Sequence, residues 1–524
     1  MTVMIRQNDL HAAALAALIA GRPDKAEALL RPALARDPAD AAGWSLLARA
    51  MGDRGRFVEE LEMCGRAVAL APATGEYQAQ LGKCHARRMD IAAAEQCARA
   101  ALACSPLSDL VLDAIAAIHT RLGQHEQAAK VLRRAADEGS RNPAVHFNLG
   151  SSLKFTGDFD GARAALETAI GLAPRYIKAH AALTSLGGIS VERNHLDRLT
   201  GLIAAVPDAR DRIHLAHAAA RECEALGRYD EAFAHLRDGK AALLKKLGAD
   251  PRESAGALAA LLAAPTPAIV GTSPASPVFV VGMPRSGTTL VDRILSGHPD
   301  LTSIGEFQHF AQLLRQATDV ATRHLVDGAM LEKVAAGRVD LDGIGHAYVE
   351  KGRQLAGGAE RFLDKFHLNI QLVGLIAAAL PHARFVCLIR NPLDSVVSNY
   401  RQLFEFATPL YRYSLDLAAA AEFYIGFRQL AARWAALLPD RFEMVEYEAL
   451  VADPEPGVRR LLEFCDLSWH PACVRIEENR AAVATASAVQ VRQPINTSSV
   501  GGWRRYAAHL GPALAVLREA GLVT

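Results

Sequence analysis

One stretch, VFVVGMPRSGTTL at residues 278–290, has the residue types and spacing of a phosphate-gripping turn. An apolar run of strand character ends at Gly282, a loop follows, and a helix is predicted to begin at about Gly287. Such a turn gathers backbone N–H groups and the positive end of a helix at one point, where an anion binds. Gly282 and Gly287 let the chain turn and approach a phosphate closely. The hydroxyls of Ser286, Thr288 and Thr289 add donors, and Arg285 adds a cation inside the loop. The glycine spacing is that of a Walker A loop, but Thr288 stands where the lysine is required. No second motif with a Mg²⁺-binding aspartate is evident, so the loop grips phosphate without the machinery of a triphosphatase.

A second stretch, LIRNPLDSVVSNYRQ, begins at a predicted strand end and runs into a helix. Arg390 precedes the helix and Ser398 lies eight residues further on. A guanidinium is suited to bidentate phosphate binding. Arg390 can reach along the helix to share a ligand with Ser398.

Together these stretches resemble the sulfotransferases. The loop is similar to their 5′-phosphosulfate loop, and PRSGTTLVDRILSGHPDL (284–301) is similar to the corresponding part of tyrosylprotein sulfotransferases, His298-Pro299 included. Arg390 and Ser398 resemble the pair that holds the 3′-phosphate in that family. By the same resemblance Tyr447, at the end of RFEMVEY, lies near the adenine. The tail SAVQVRQPINTSSVGGWRRY (487–506) aligns without gaps through Ser487, Gln490, Val491, Pro494, Asn496 and Trp503. A Ser-Lys pair before the tryptophan helps those enzymes hold the donor. Gly501 and Gly502 stand there in this chain, with Arg504 and Arg505 as candidate replacements for the charge. The resemblance runs in patches over about Pro277–Tyr506 and leaves 307–360 unmatched. It implies 3′-phosphoadenosine 5′-phosphosulfate as co-substrate, with no metal required.

Sulfuryl transfer has needs like those of phosphoryl transfer: reacting atoms roughly in line, and positive charge at the leaving phosphate oxygen. Arg285, the loop amides and a lysine would supply that charge. Lys365, in LDKFHLN, lies just after a short predicted strand, at the edge where such sheets bind ligands. The resemblance assigns it the bridging oxygen. The acceptor hydroxyl needs a general base. Glu306, after Gly305, is favoured over His367, which matches the K-x-H pattern of cytosolic small-molecule sulfotransferases. A glutamate base would need its pKa raised by burial, whereas a histidine would suit neutral pH untuned.

The elements that must position these groups alternate. PVFVVG (277–282), RFLDK (361–365), RFVCLI (384–389) and RFEMVEY (441–447) read as strands. TTLVDRILSGH (288–298), NIQLVGLIAAAL (369–380) and PLDSVVSNYRQLF (392–404) read as helices. Such alternation predicts an α/β domain, P-loop-like, with a parallel sheet covered on both faces. It occupies 277–524. A proline-, serine- and alanine-rich stretch at 247–276 reads as a linker.

Residues 1–246 read as an all-α superhelix. Pro38, Pro72, Pro106 and Pro174 sit on a 34-residue lattice. Small residues occupy two more lattices, Ala26, Ala94, Ala128 and Ala162, and Ala33, Ala67, Ala101, Ala135 and Ala169. Small residues let two helices approach closely, and proline ends the second one. GQHEQA (123–128), GDFDGA (157–162) and GRYDEA (227–232) read as turns into second helices. This resembles the tetratricopeptide repeat over about Asp9 to Leu244. Five units run in phase from about residue 7 to 176, and one more falls around Arg212–Lys245. Such arrays stack into a concave groove, a docking surface for a peptide or partner protein. The whole chain is thus similar to the repeat-bearing sulfotransferases of bacteria.

Bulk properties narrow the field. A net charge of +1 over 524 residues gives no basic footprint for nucleic acid. No pair of the eight cysteines is spaced CxxC, no signal peptide is apparent, and no apolar stretch is long enough for a membrane span. A reducing compartment, the cytoplasm, is expected. The acceptor stays open between protein tyrosine, a glycan and a small alcohol. An inactive nucleotide-binding adaptor and a small-molecule kinase are the alternatives. The intact set of Arg285, Lys365, Arg390 and Ser398 speaks against the first, and the missing Walker lysine against the second.

Overall fold

In the computed structural model the lattice prolines fall where helices stop. Residues 2–320, 322–406, 408–479 and 493–524 are described, with side chains from residue 8 onward. Ser487, Gln490 and Val491 of the tail resemblance lie outside the described residues. Two compact units divide the chain, 1–186 and 187–524.

The first unit contains five helical hairpins, Thr2–Ile19 with Pro23–Arg36, Ala41–Asp53 with Phe57–Leu70, Gly75–Arg87 with Ile91–Ala103, Asp109–Arg121 with His125–Asp137, and Pro143–Thr156 with Phe159–Leu172. The short helix Ile177–Thr184 follows. Close approach is the reason for the small residues. A Cβ on Gly82 would lie 2.6 Å from the Ile118 side chain, and one on Gly150 would lie 2.7 Å from Leu166. Ala67, Ala101, Ala135 and Ala169 are buried at the same seams. Glu60, which stands 34 residues after Ala26 where a small residue would continue that lattice, is buried against Arg87 as an ion pair. Gly157, with φ of +93°, closes one hairpin in the left-handed conformation that glycine adopts without strain.

The second unit is built on a five-stranded, fully parallel sheet: β1 (Val278–Gly282), β2 (Thr302–Ser303), β3 (Phe362–Asp364), β4 (Arg384–Ile389) and β5 (Phe442–Glu446), in the order β2-β3-β1-β4-β5. β1 is buried along its whole length. Its alternate side chains feed two cores. Val278 and Val280 pack with Val291, Ile294, Leu363 and Val386 on one face. On the other, Phe279 stacks on Tyr348, from helix Leu341–Leu355, and on Phe385. Helices therefore cover both faces, as expected. The edge strand β2 and the helices Leu341–Leu355, Leu417–Leu437 and Gly511–Glu519 are additions to the sequence reading.

The division at 186/187 lies upstream of the expected linker. Helices Ala209–Ala225 and Tyr229–Leu247, the last repeat-like hairpin, belong to the unit of the sheet. The buried Lys240 ammonium donates to the carbonyls of Gln402 and Ser414. The stretch 247–276 is tied down along its length. It carries helix Glu253–Ala263, the Ser254 hydroxyl bonds to the Pro409 carbonyl at 2.6 Å, and Arg433 donates to the Ala264 carbonyl. The Gly271 amide bonds to the Ala378 carbonyl and the Thr272 amide to Asp342. A chain beginning at Gly187 should therefore melt cooperatively on its own. One beginning at Pro277 should be insoluble or lose its cooperative transition, because buried partners of 401–434 are gone. Equal thermal melts for the two truncations would show that the hairpin and the 247–276 stretch are dispensable.

Candidate functional site

All five strands have sequence-selected side chains just beyond their carboxyl ends. Glu306 follows β2, Lys365 and His367 follow β3, the loop 283–287 follows β1, Arg390 follows β4 and Tyr447 follows β5. In parallel α/β sheets this edge is where ligands bind, beside the strand about which the chain order reverses, here β1.

The loop enters helix Thr288–Leu295 through Gly287, the N-cap, at φ +107°. A Cβ there would lie 2.5 Å from the Tyr447 ring, so glycine is required by space as well as by conformation. The first N–H groups of the helix have no partner within it. Arg285 is a non-glycine residue at φ +65°, a conformation that costs about 1–2 kcal/mol. Its neighbours hold it. The Asn399 amide donates to the Pro284 carbonyl at 2.7 Å and Arg390 donates to the Arg285 carbonyl at 2.9 Å. Asn399 is fixed in turn by the Tyr413 hydroxyl.

Ser286 is 1% exposed and its hydroxyl has no hydrogen-bond partner among the described residues. Thr288 and Thr289 are buried beside it. A buried, unsatisfied hydroxyl is costly, and an anion in the loop would satisfy it. Burial lowers the Arg285 pKa to about 10, with the cations Arg221, Arg401 and Arg390 adding to the shift. An anion would relieve that as well.

Arg390 is buried over the Tyr447 ring, 4.7 Å from its centroid, and donates its second terminal nitrogen to the Ser499 carbonyl at 2.5 Å. Its Nε is buried without a partner among the described residues. Tyr447 opens a helix rather than ending β5, and its hydroxyl lies 2.6 Å from that of Ser499. Ser398 is half-buried on helix Pro392–Tyr400 and makes no hydrogen bond with Arg390. The tail is held by Asp394, which accepts the Gly501 and Trp503 amides at 2.7 and 2.9 Å. Arg504 lies over the Trp503 ring and Arg505 over Tyr229.

On the β2–β3 side, the buried Lys365 ammonium donates to Glu306 at 2.6 Å. His367 Nδ1 lies 4.0 Å from the same carboxylate, and its Nε2 is 3.1 Å from the Tyr411 hydroxyl. Burial pushes the Glu306 pKa up, but Lys365 and His367 outweigh it, and the net position is below the usual glutamate value. Burial lowers His367 to about 4. Neither group has the tuning expected from sequence: the glutamate is not raised, and the histidine is not poised near neutrality.

Asp364, missed in the sequence, organises this side. Its carboxylate accepts the Phe307 and Phe366 amides at 3.2 and 3.0 Å, the Tyr348 hydroxyl at 2.7 Å and the Asn369 amide at 3.0 Å. Those two amides belong to the residues following Glu306 and Lys365, so one buried carboxylate sets both backbones. Burial raises its pKa to about 7 despite these donors. Its only sequence signal was adjacency to Lys365. Among the described residues, no group of three or more His, Cys, Asp or Glu side chains is arranged to hold a metal, and no helix is long and apolar enough to cross a membrane.

A parallel sheet with a strand-loop-helix turn at its central strand defines the class of the second unit as an α/β fold. Residues 277–471 match the model of the sulfotransferase family, and residues 120–186 match a tetratricopeptide repeat model. The second unit thus resembles the sulfotransferase family over 277–471, and the first unit the tetratricopeptide repeat over 120–186. Relatives include an uncharacterized protein of Aquifex aeolicus (strain VF5), 31% identical over 300 residues, which are 56% of this chain and 39% of that protein. The protein-tyrosine sulfotransferase of Drosophila melanogaster is 25% identical over 258 residues, 46% of this chain and 51% of that enzyme. The chain spans less than two thirds of the length of either. Among solved structures, the sulfotransferase domain from the curacin biosynthetic pathway aligns with 48% of this chain and 99% of its own, at 16% identity and a TM-score of 0.33.

Proposed function

We propose that this chain transfers a sulfuryl group from 3′-phosphoadenosine 5′-phosphosulfate to a hydroxyl acceptor. The observation that carries the reading is the loop at the end of β1, where the buried Ser286 hydroxyl has no hydrogen-bond partner among the described residues and an anion would satisfy it. In this reading Arg285, Ser286, Gly287, Thr288 and Thr289 hold the 5′-phosphosulfate. Arg390 and Ser398 hold the 3′-phosphate, and Tyr447 packs near the adenine. The sulfur–oxygen bond to the leaving phosphate breaks as the acceptor oxygen bonds to sulfur. The acceptor proton passes to the base, and 3′-phosphoadenosine 5′-phosphate leaves. Lys365 and Arg285 neutralise charge on the departing oxygen. No step calls for a metal.

The relatives leave the acceptor open between protein tyrosine, a glycan and a small alcohol. The repeats of the first unit are assigned to docking a peptide or partner protein, as their family suggests. Eight free cysteines support a reducing compartment, the cytoplasm. The test is release of 3′-phosphoadenosine 5′-phosphate from a labelled donor, with the sulfated species identified in lysate of a strain lacking the protein. Absence of turnover with any acceptor fraction would leave only a binding function.

Arg390 supplies the sharpest binding test. Arg390→Ala should weaken 3′-phosphoadenosine 5′-phosphate by roughly 10–100-fold in calorimetry, the value of one charge-assisted contact. Because Arg390 also braces the Arg285 carbonyl, a smaller loss is expected for the analogue lacking the 3′-phosphate. Equal losses for both would assign Arg390 to the fold alone.

A further inference from the structure

The loop after β1 holds Arg285 at φ +65°, in the left-handed region that a non-glycine residue leaves unless its neighbours keep it there. Both peptide planes that flank it are gripped through their carbonyls. Arg390 donates to the Arg285 carbonyl at 2.9 Å, and the Asn399 side-chain amide donates to the Pro284 carbonyl at 2.7 Å. The peptide unit is planar, so a fixed Pro284 carbonyl also fixes the direction of the Arg285 N–H. Arg390 is already assigned to the donor. Asn399 has no assignment, yet it holds the other half of the same turn.

Asn399 is fully buried on helix Pro392–Tyr400, and both polar atoms of its side chain are engaged. The amide nitrogen also donates to the Ser395 carbonyl at 2.9 Å, and the side-chain oxygen accepts from the Tyr413 hydroxyl at 2.9 Å. A reversed amide would turn its oxygen toward two carbonyl oxygens, so one orientation fits. The Tyr413 ring is buried and stacked on Phe423, with centroids 3.8 Å apart and planes within 3°, which aims the hydroxyl. Burial raises the Tyr413 pKa well above its usual value, so the hydroxyl remains a donor. The segment that carries Tyr413 is pinned as well. The buried Lys240 ammonium donates to the carbonyls of Gln402 and Ser414 at 3.2 and 3.0 Å. A relay of hydrogen bonds thus runs from Tyr413 through Asn399 to the turn.

We propose that Asn399 is a positioning residue for the 5′-phosphosulfate subsite, acting through the Pro284 carbonyl to keep the turn in the strained conformation that presents Arg285, with Tyr413 fixing the Asn399 amide. This rests on the donor assignment made above and deepens it. Asn399 directly follows Ser398, the residue assigned to the 3′-phosphate, but its side chain is committed to the other end of the nucleotide. Consecutive residues of one helix therefore serve the two phosphate subsites. Without Asn399 the turn relaxes in the free protein, and ligand binding has to restore the strain. The loss falls on ligands that carry a 5′-phosphate and spares those that carry a 3′-phosphate alone.

The test uses the full chain with Asn399→Leu, which keeps the bulk and removes the donor, and Tyr413→Phe, which keeps the stacked ring and frees the Asn399 amide. Calorimetry with 3′-phosphoadenosine 5′-phosphate, adenosine 5′-phosphate and adenosine 3′-phosphate reads the result. Asn399→Leu should weaken the first two by roughly 5–30-fold, the factor that corresponds to the strain of one non-glycine residue at positive φ, and leave the third unchanged. Tyr413→Phe should show the same selectivity with a loss of roughly 2–5-fold. A merely structural asparagine would lower the melting temperature without discriminating among the nucleotides. The proposal is overturned if Asn399→Leu binds adenosine 5′-phosphate as well as wild type does, or loses adenosine 3′-phosphate to the same degree. Should Asn399→Leu not melt cooperatively, Tyr413→Phe decides alone: a 5′-selective loss supports the proposal, and unchanged binding of all three nucleotides overturns it. Wild-type protein that binds none of the three removes the donor assignment itself, and this proposal with it, a result distinct from wild-type binding that the variants leave intact.

Discussion

Replacing Lys365 with alanine should lower kcat by roughly 10²–10³ while changing the affinity for 3′-phosphoadenosine 5′-phosphate only a few-fold. The ammonium is 2% exposed and lies 2.6 Å from Glu306. A buried cation held by one carboxylate is placed, not free to wander, so its geometry is set before any ligand arrives. In the proposed reaction the charge it would serve grows mainly in the transition state, on the leaving phosphate oxygen, and the loss should therefore appear in turnover rather than in binding. Calorimetry with the product nucleotide and steady-state kinetics with the donor separate the two. A variant that binds poorly but turns over normally at saturation would remove Lys365 from this role. Alanine also takes from Glu306 the chief cation that lowers its pKa. The acid limb of the pH–rate profile should therefore move upward in the variant. Arg285 and Arg390 variants should not show this shift, since neither touches Glu306.

The strands were legible because burial on both faces leaves unbroken apolar runs such as VFVVG and RFVCLI. The two-residue β2 carries no such run, and its place next to β3 is decided by pairing across the sheet. The repeat signature reports something narrower than it first suggests. A Cβ on Gly239 would lie 2.9 Å from that of Ala216, so the small residues of the 209–247 hairpin record how its two helices meet each other. They carry no information about which body the hairpin docks on. That is settled by Lys240 against the carbonyls of Gln402 and Ser414 and by Glu224 against Arg401, contacts between residues more than 150 positions apart. Proline and serine in 247–276 likewise report a change of composition, which carries no information about the hydrogen bonds that the stretch makes to 378, 409 and 433.

At the site, residues with a charge or a ring to offer a ligand could be picked from sequence. The groups that hold them could not. Asn399 looks like any polar helix residue until its amide is seen on the Pro284 carbonyl, and Asp394 until it is seen gripping the tail amides. Glu224 has no motif at all, and its meaning comes from a helix face that presents it with His217 to Arg401.

Glu306→Gln should be the more damaging of the two base substitutions, costing roughly 10²–10⁴ in kcat, with His367→Asn costing far less. The choice turns on environment. A histidine base draws its advantage from a pKa near neutrality, and burial takes that away, leaving His367 at about 4. Its Nε2 faces the Tyr411 hydroxyl and its Nδ1 faces Glu306, an arrangement that suits a neutral ring orienting the carboxylate. Glu306 is ionised throughout the neutral range, since Lys365 holds it below the ordinary glutamate value. Ionisation suits a base, although the same pairing weakens its basicity. Charge at the departing phosphate oxygen would draw Lys365 away and return basicity to Glu306 as the reaction proceeds. The sign for pH follows. A depressed carboxylate pKa leaves the base form in place until the pH falls below the ordinary range, so kcat/KM should show no acid limb between about pH 5 and 7. A histidine base of unperturbed pKa would place a limb near about 6.5. Glutamine keeps an oxygen for the Lys365 hydrogen bond, so the Glu306→Gln fold should hold, and unchanged product-nucleotide affinity would verify it. A His367→Asn enzyme that is dead beside a Glu306→Gln enzyme that keeps most of its rate, with a limb near neutrality in wild type, would reverse the assignment and make Glu306 the orienting group.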